Sequence, residues 1–234
     1  MKKPVTKLDG LLFDKDGTLF DFHATWSAWA KGLIVTLAEG RPGVAEALAA
    51  ALEFDLEAER FRPGSPAIAS PNRDVAACVA GALGTADVDA VETVLDYHAR
   101  HAPLSPAVPL APLLEGLRAQ GLILGVMTND SESTAHAHLE AAGVAALFDF
   151  VAGYDSGYGA KPEPGPLLAF AQAHGLRPGR VAMVGDSTHD LLAGRAAGMQ
   201  TLAVLTGAAG AGDLAPFADH VLAHIGEIPA WLAA

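Results

Sequence analysis

Residues 8–19 read Leu-Asp-Gly-Leu-Leu-Phe-Asp-Lys-Asp-Gly-Thr-Leu, and the architecture can be built outward from them. Leu8 to Phe13 has the apolar run of a short buried strand. It stops at a carboxylate cluster, Asp14-Lys15-Asp16-Gly17, where Asp and Gly favour a turn. In an open α/β sheet the ligand site lies at the carboxyl ends of the strands, so the residues that follow each strand are the ones to read.

The rest of the chain supplies the other strands. Apolar runs at Ile123–Met127, Phe150–Gly153, Val181–Val184 and Thr201–Leu205 are separated by helical stretches near Ser131–Ala142, Pro164–His174 and Ser187–Gly198. A last short strand is expected at His220–Leu222, and a further helix from Pro112 to about Gln120. Alternating strand and helix predict a doubly wound, Rossmann-like parallel sheet with helices on both faces. Between Phe22 and Arg100 the rhythm is different. Trp26, Trp29, Leu33 and Leu37 recur at helical spacing, and further helices are expected over Pro42–Phe54, Arg73–Leu83 and Asp87–His101. No strand is expected there, so this block reads as all-helical. Arg60–Pro66 reads as a turn-rich loop between its helices. Pro103, Pro106, Pro109 and Pro112 fall within ten residues, which excludes a helix interior and marks an extended boundary. The expected organisation is an α/β core of residues 1–19 and 106–234, with a helical cap of residues 20–105 inserted after the first strand.

Each core strand ends in reactive polar groups. Asp14 and Asp16 follow the first strand, and Thr128 and Asn129 follow Ile123–Met127. Lys161, in AKPEPGP, follows Phe150–Gly153 across a glycine-rich loop. Asp186 and Asp190, in GDSTHD, follow Val181–Val184. Several carboxylates converging on one edge repel one another unless a hard cation sits among them, and an all-oxygen donor set suits Mg²⁺. A carboxylate can act as nucleophile and carry a phosphoryl group. A second acid can protonate the leaving oxygen and later activate water. Thr128, Lys161 and helix N-termini could offset phosphoryl charge. The set of parts suits phosphoryl transfer through a covalent intermediate.

The ordered series DKDGTLF, TN, AKPEPGP and GDSTHD resembles the haloacid dehalogenase superfamily, in its phosphoglycolate phosphatase-like group with a helical cap. The resemblance implies a magnesium-dependent phosphatase acting on a small phosphorylated metabolite, phosphoglycolate first among them. It implies Asp14 as nucleophile and Asp16 as general acid/base, with the Asp16 backbone carbonyl on the metal. Thr128 would hold phosphate with Asn129, and Lys161 would neutralise the aspartyl-phosphate. Asp186 would ligate Mg²⁺ with Asp14, and Asp190 would support the metal shell. A phosphomutase and a 2-haloacid dehalogenase share the resemblance, although the dehalogenase uses neither metal nor a second acid. A receiver module, or another non-catalytic phosphate binder, is the reading outside enzymes.

Other features narrow the field. Lys+Arg 15 against Asp+Glu 27 gives a formal charge of −12, which argues against nucleic acid and anionic lipid as partners. Cys78 is the single cysteine, so no intrachain disulfide is possible; it is expected to be a buried small hydrophobe. The apolar run behind the N-terminal lysines is too short for a signal segment, and no stretch of about 18 apolar residues occurs. A cytoplasmic protein is expected, and nothing speaks to its oligomeric state. A calcium loop starting at Asp14 would need Gly and Glu where Leu19 and Thr25 stand. In the cap, Trp26 and Trp29 have the spacing of helix core. His23 and Arg62, with Arg60 beside it, are the candidates for substrate contact. Asp190 can also be read as a first-turn helix acid, and Ser187 and His189 as structural.

Overall fold

The computed structural model describes residues 7–62 and 64–233. Pro63 and the N-terminal lysines Lys2 and Lys3 lie outside the described residues. The described residues form two compact units, one of those up to 22 with those from 105 onward and one of those between 23 and 104.

In chain order, strand β1 (Gly10–Phe13) is followed by helices α1 (Phe22–Ala38) and α2 (Val44–Ala51). Strands β2 (Phe54–Asp55) and β3 (Arg60–Phe61) come next, then helices α3 (Pro66–Ala69), α4 (Asn72–Leu83) and α5 (Val88–Arg100). The return to the first unit brings α6 (Leu110–Ala119), β4 (Ile123–Met127), α7 (Glu132–Ala141), β5 (Phe150–Ala152) and α8 (Gly165–Ala173). It closes with β6 (Val181–Gly185), α9 (Thr188–Ala196), β7 (Gln200–Val204), α10 (Ala211–Leu214), β8 (His220–Leu222) and α11 (Ile228–Leu232).

Six strands form one sheet in the order β5-β4-β1-β6-β7-β8, and every pairing is parallel. The apolar run of β1 explains its central place. All four of its residues are buried, as a parallel strand covered on both faces requires. Phe13 pairs with Val126 of β4 and Val184 of β6. That register brings the residues after all three strands to one level. Leu12 and Met183 pack with Leu167 and Phe170 of α8 on the sheet. The strand order reverses on either side of β1, and the carboxyl ends there form the crevice in which such sheets bind ligands.

The helical unit departs from expectation in one respect. It is not all-helical: β2 and β3 form an antiparallel hairpin, Phe54 opposite Phe61 and Asp55 opposite Arg60. Strands of two residues are too short to show a period in sequence. The hairpin is made by local chemistry instead. Asp55 Oδ1 accepts from the Glu57 and Ala58 N–H groups, an Asx turn, and the Phe54 and Phe61 rings meet edge to face at 5.0 Å. The expected helix over Pro42–Phe54 therefore stops at Ala51. Trp26 and Trp29 are core, with ring centroids 5.1 Å apart. Cys78 is exposed, contrary to the expectation of burial. On α4 the inward face is Val75, Ala76, Val79 and Ala80, and Cys78 falls outside that stripe.

The proline-rich boundary is shorter than its composition suggests. Helix α6 begins at Leu110, and Pro112 lies in its first turn, where a missing N–H costs no hydrogen bond. Before it, the Ala107 N–H donates to Leu19 O, and Phe20 bridges to Pro106, which ties the boundary to the loop after β1. Among the described residues no helix is long and apolar enough to cross a membrane.

Candidate active site

Asp14 leaves β1 with its N–H on Val184 O at 2.8 Å. The chain then turns sharply. The Leu19 and Phe20 N–H groups both donate to Lys15 O, and the Gly17 N–H donates to Phe20 O. Gly17 sits at φ 85°, a conformation that costs glycine little. The turn holds Asp14 and Asp16 on one short loop.

Lys161 is the hub of the site. Its Nζ lies 2.6 Å from Asp14 Oδ1, 2.7 Å from Asp190 Oδ1 and 3.0 Å from Met127 O. The lysine is buried, as are Asp14, Asp186, Asp190, Thr128 and Asn129. Asn129 acts on the backbone of Lys161: its Oδ1 accepts from the Lys161 N–H and its Nδ2 donates to Lys161 O, both at 2.9 Å. The loop after β4 thus fixes the lysine that pairs with Asp14. The Thr128 N–H donates to Ala152 O at 3.0 Å, and its Oγ1 accepts from the Asp130 N–H.

Asp190 is both a helix acid and a member of the site. Its Oδ2 accepts from the Ser187 N–H at 3.0 Å and from Ser187 Oγ at 2.7 Å, which makes the capping box at the start of α9. Its Oδ1 faces Lys161. Ser187 is structural, as expected.

Asp14, Asp186 and Asp190 have carboxylate oxygens within 4.8 Å of one another. Burial pushes the Asp14 carboxyl up to about 7; Lys161 pulls the other way, and Asp190 and Asp16 add repulsion. Burial, then Asp14 and Asp190, hold Asp186 well above the usual carboxylate range. Burial opposes the charge on Lys161, but Asp14 and Asp190 outweigh it and keep the group an ammonium. Fully ionised, three buried carboxylates against one ammonium would leave excess negative charge in this pocket, and the raised Asp14 and Asp186 groups reflect burial and that repulsion. That is the environment a hard divalent cation neutralises.

The loop after β7 completes this pocket, and sequence reading missed it. A Cβ on Gly207 would lie 1.6 Å from Asp186 Oδ2, and one on Gly17 would lie 2.3 Å from the same atom. Thr206 Oγ1 donates to Gly17 O at 2.6 Å and joins the two loops. The Asp186 carboxylate therefore lies in a cradle of backbone that only glycines leave open. The signal was available: Thr206 and Gly207 follow a strand of the same parallel sheet, at the same edge as the other site residues.

His23 and Arg62 belong to the helical unit. His23 is exposed in the first turn of α1. Arg62 is exposed beside the hairpin, 3.8 Å from Asp55 Oδ2.

A family model of haloacid dehalogenase-like hydrolases matches residues 8–198. The chain belongs to that family. The match begins in the segment leading into β1 and ends after α9, so it spans Asp14, Thr128, Lys161, Asp186 and Asp190. The chain is 30% identical over 204 residues to a phosphoglycolate phosphatase of Pseudomonas putida, across 84% of this chain and 69% of that protein. It is 36% identical to pyrophosphatase PpaX of Oceanobacillus iheyensis over 91 residues, which cover 39% of this chain and 42% of that relative. Among solved structures, a predicted phosphoglycolate phosphatase from Haemophilus somnus shares the fold with a TM-score of 0.70 at 20% identity, over 97% of this chain and 98% of that one. The chain is therefore a hydrolase of the haloacid dehalogenase family, and the two curated relatives are phosphatases by name.

Proposed function

We propose that this chain is a Mg²⁺-dependent phosphomonoester hydrolase that works through a phosphoryl group carried on Asp14. The observation that carries the reading is the pairing of Asp14 with Lys161 at 2.6 Å, inside a buried group of carboxylates whose oxygens lie close enough together to hold a cation. The Asp14 carboxylate attacks phosphorus, so one Asp14 O–P bond forms as the ester P–O bond breaks. Asp16 delivers its proton to the departing oxygen and then takes a proton from the water that attacks the phosphoryl group, the Asp14 O–P bond breaking as the water O–P bond forms so that phosphate leaves and the Asp14 carboxylate is restored. Lys161, with the Thr128 hydroxyl, offsets charge on the phosphoryl oxygens. Asn129 positions Lys161 through its backbone.

Asp14, Asp186 and the Asp16 carbonyl would hold Mg²⁺, with Asp190 supporting the shell. When bound, the ion supplies positive charge that favours the ionised Asp14 and balances the phosphoryl oxygens. Residues 20–105 are assigned the role of the cap. His23 and Arg62 are the cap residues assigned to substrate contact. The substrate is a small phosphorylated metabolite of the cytoplasm. The phosphoglycolate phosphatase among the relatives makes phosphoglycolate the first compound to try.

The test is hydrolysis of para-nitrophenyl phosphate with and without Mg²⁺ by wild type and Asp14→Asn. Turnover that needs both the ion and the carboxylate supports the reading. Equal phosphate release by Asp14→Asn and wild type refutes it.

A further inference from the structure

Lys15 stands between the two acids of the DKDG loop, and the proposed mechanism does not use it. Its side chain is fully buried. A buried ammonium is costly unless all its donors are met. Here the ammonium faces two carboxylates and an imidazole. Nζ lies 2.5 Å from Asp16 Oδ2, 3.4 Å from Asp130 Oδ2 and 3.0 Å from His138 Nδ1. His138 is itself fully buried on α7, with its ring edge on to Phe20 at 6.3 Å. An ammonium has no acceptor, so His138 Nδ1 accepts and the ring proton sits on Nε2.

The cluster joins three elements. Asp16 belongs to the loop after β1. Asp130 belongs to the loop after β4, where its Oδ1 accepts from the Ser131 N–H and its own N–H donates to Thr128 Oγ1. His138 belongs to the helix that comes next. Lys15 therefore ties the acid of one loop to the phosphate-binding loop beside it. The Asp16 side chain is 15% exposed: one oxygen is held on the buried ammonium while the carboxylate still reaches solvent.

We infer that Lys15, backed by His138, is a positioning residue that aims the Asp16 carboxyl at the leaving-group oxygen. The inference rests on the reading of Asp16 as general acid/base. A residue that merely holds the fold would lower all turnover alike. A residue that aims the acid must matter most where the leaving group needs a proton most.

The experiment compares kcat/KM for para-nitrophenyl phosphate, a good leaving group, with phenyl phosphate, a poorer one, in saturating Mg²⁺. Asp16→Asn is the reference: its loss on phenyl phosphate should exceed its loss on the nitro compound by about 100-fold, within the range of general acid catalysis. Lys15→Met should shift the ratio the same way by about tenfold, since the acid stays but is no longer aimed. His138→Leu should follow Lys15→Met, and His138→Gln, which keeps an acceptor, should return toward wild type. The His138 pair decides the matter if Lys15→Met does not fold. An unchanged ratio in Lys15→Met and His138→Leu, with a changed ratio in Asp16→Asn, overturns the inference and leaves the phosphatase reading standing. An unchanged ratio in Asp16→Asn removes the acid/base role of Asp16, and the inference with it.

Discussion

Asp190 divides its carboxylate between Lys161 and the helix that carries it: Oδ1 lies 2.7 Å from Lys161 Nζ while Oδ2 takes two hydrogen bonds from Ser187. The lysine that faces Asp14 is thus anchored to the start of α9. Asp190→Asn keeps the shape and removes the charge. Lys161 is then balanced by Asp14 alone, and Asp14 is pulled from its working position. We expect kcat/KM to fall about 10- to 100-fold, the usual cost of a supporting partner in a metal site. Steady-state kinetics with a thermal melt separates this from unfolding.

Gly207 predicts a metal-affinity phenotype. A methyl group there would occupy the space of the Asp186 carboxylate. Gly207→Ala should weaken Mg²⁺ activation about 10- to 100-fold. Gly212→Ala, at a position with nothing within 4 Å of the added carbon, is the control and should behave as wild type in the same Mg²⁺ titration.

Asn129 predicts a loss carried by kcat. Asn129→Ala frees the backbone of Lys161 from both of its side-chain hydrogen bonds. Misplacement of Lys161 should lower kcat on the order of 10- to 100-fold, with a smaller change in KM. The result that counts against this role is a rise in KM at unchanged kcat.

The metal-free protein should lose stability as pH rises. Asp14 is held at about 7 in the fold, above an ordinary value of 3.8, and Asp186 shifts the same way. The folded state then binds protons that the unfolded state has released, so the contribution is full below about pH 4 and is lost as pH rises through about 7. In EDTA, the melting temperature should be lower near pH 8 than near pH 5, roughly the two sides of that window. Asp14→Asn should flatten the slope, and Mg²⁺ should restore the loss at the alkaline end.

Much of this site was legible because a parallel sheet gathers its chemistry at one edge. The strands around Phe13, Val126 and Val184 are apolar runs, and the polar residues at their carboxyl ends had to converge. That reasoning finds Asp14, Thr128, Asn129, Lys161, Asp186 and Asp190 without coordinates. It fails where the partner is remote or the element is short. Nothing in DKDG says that Lys15 turns inward to meet His138, more than a hundred residues away in the chain; a charged residue in a loop is ordinarily solvated. Asn129 reads as a phosphate ligand or a cap, yet its side chain grips the Lys161 backbone. The β2–β3 hairpin has too few residues for any period, and Cys78 lies on a helix whose small residues blur its inward stripe.

The mechanism depends on Asp14 carrying the phosphoryl group. Wild type mixed with excess para-nitrophenyl phosphate and Mg²⁺, quenched in acid within one turnover, should contain protein heavier by one phosphoryl group. Borohydride reduction of the acyl phosphate should convert residue 14, and no other aspartate, to homoserine, and Asp14→Asn should show neither change. A full turnover of nitrophenol release with no phosphorylated protein, or with the label on a residue other than Asp14, would contradict this mechanism.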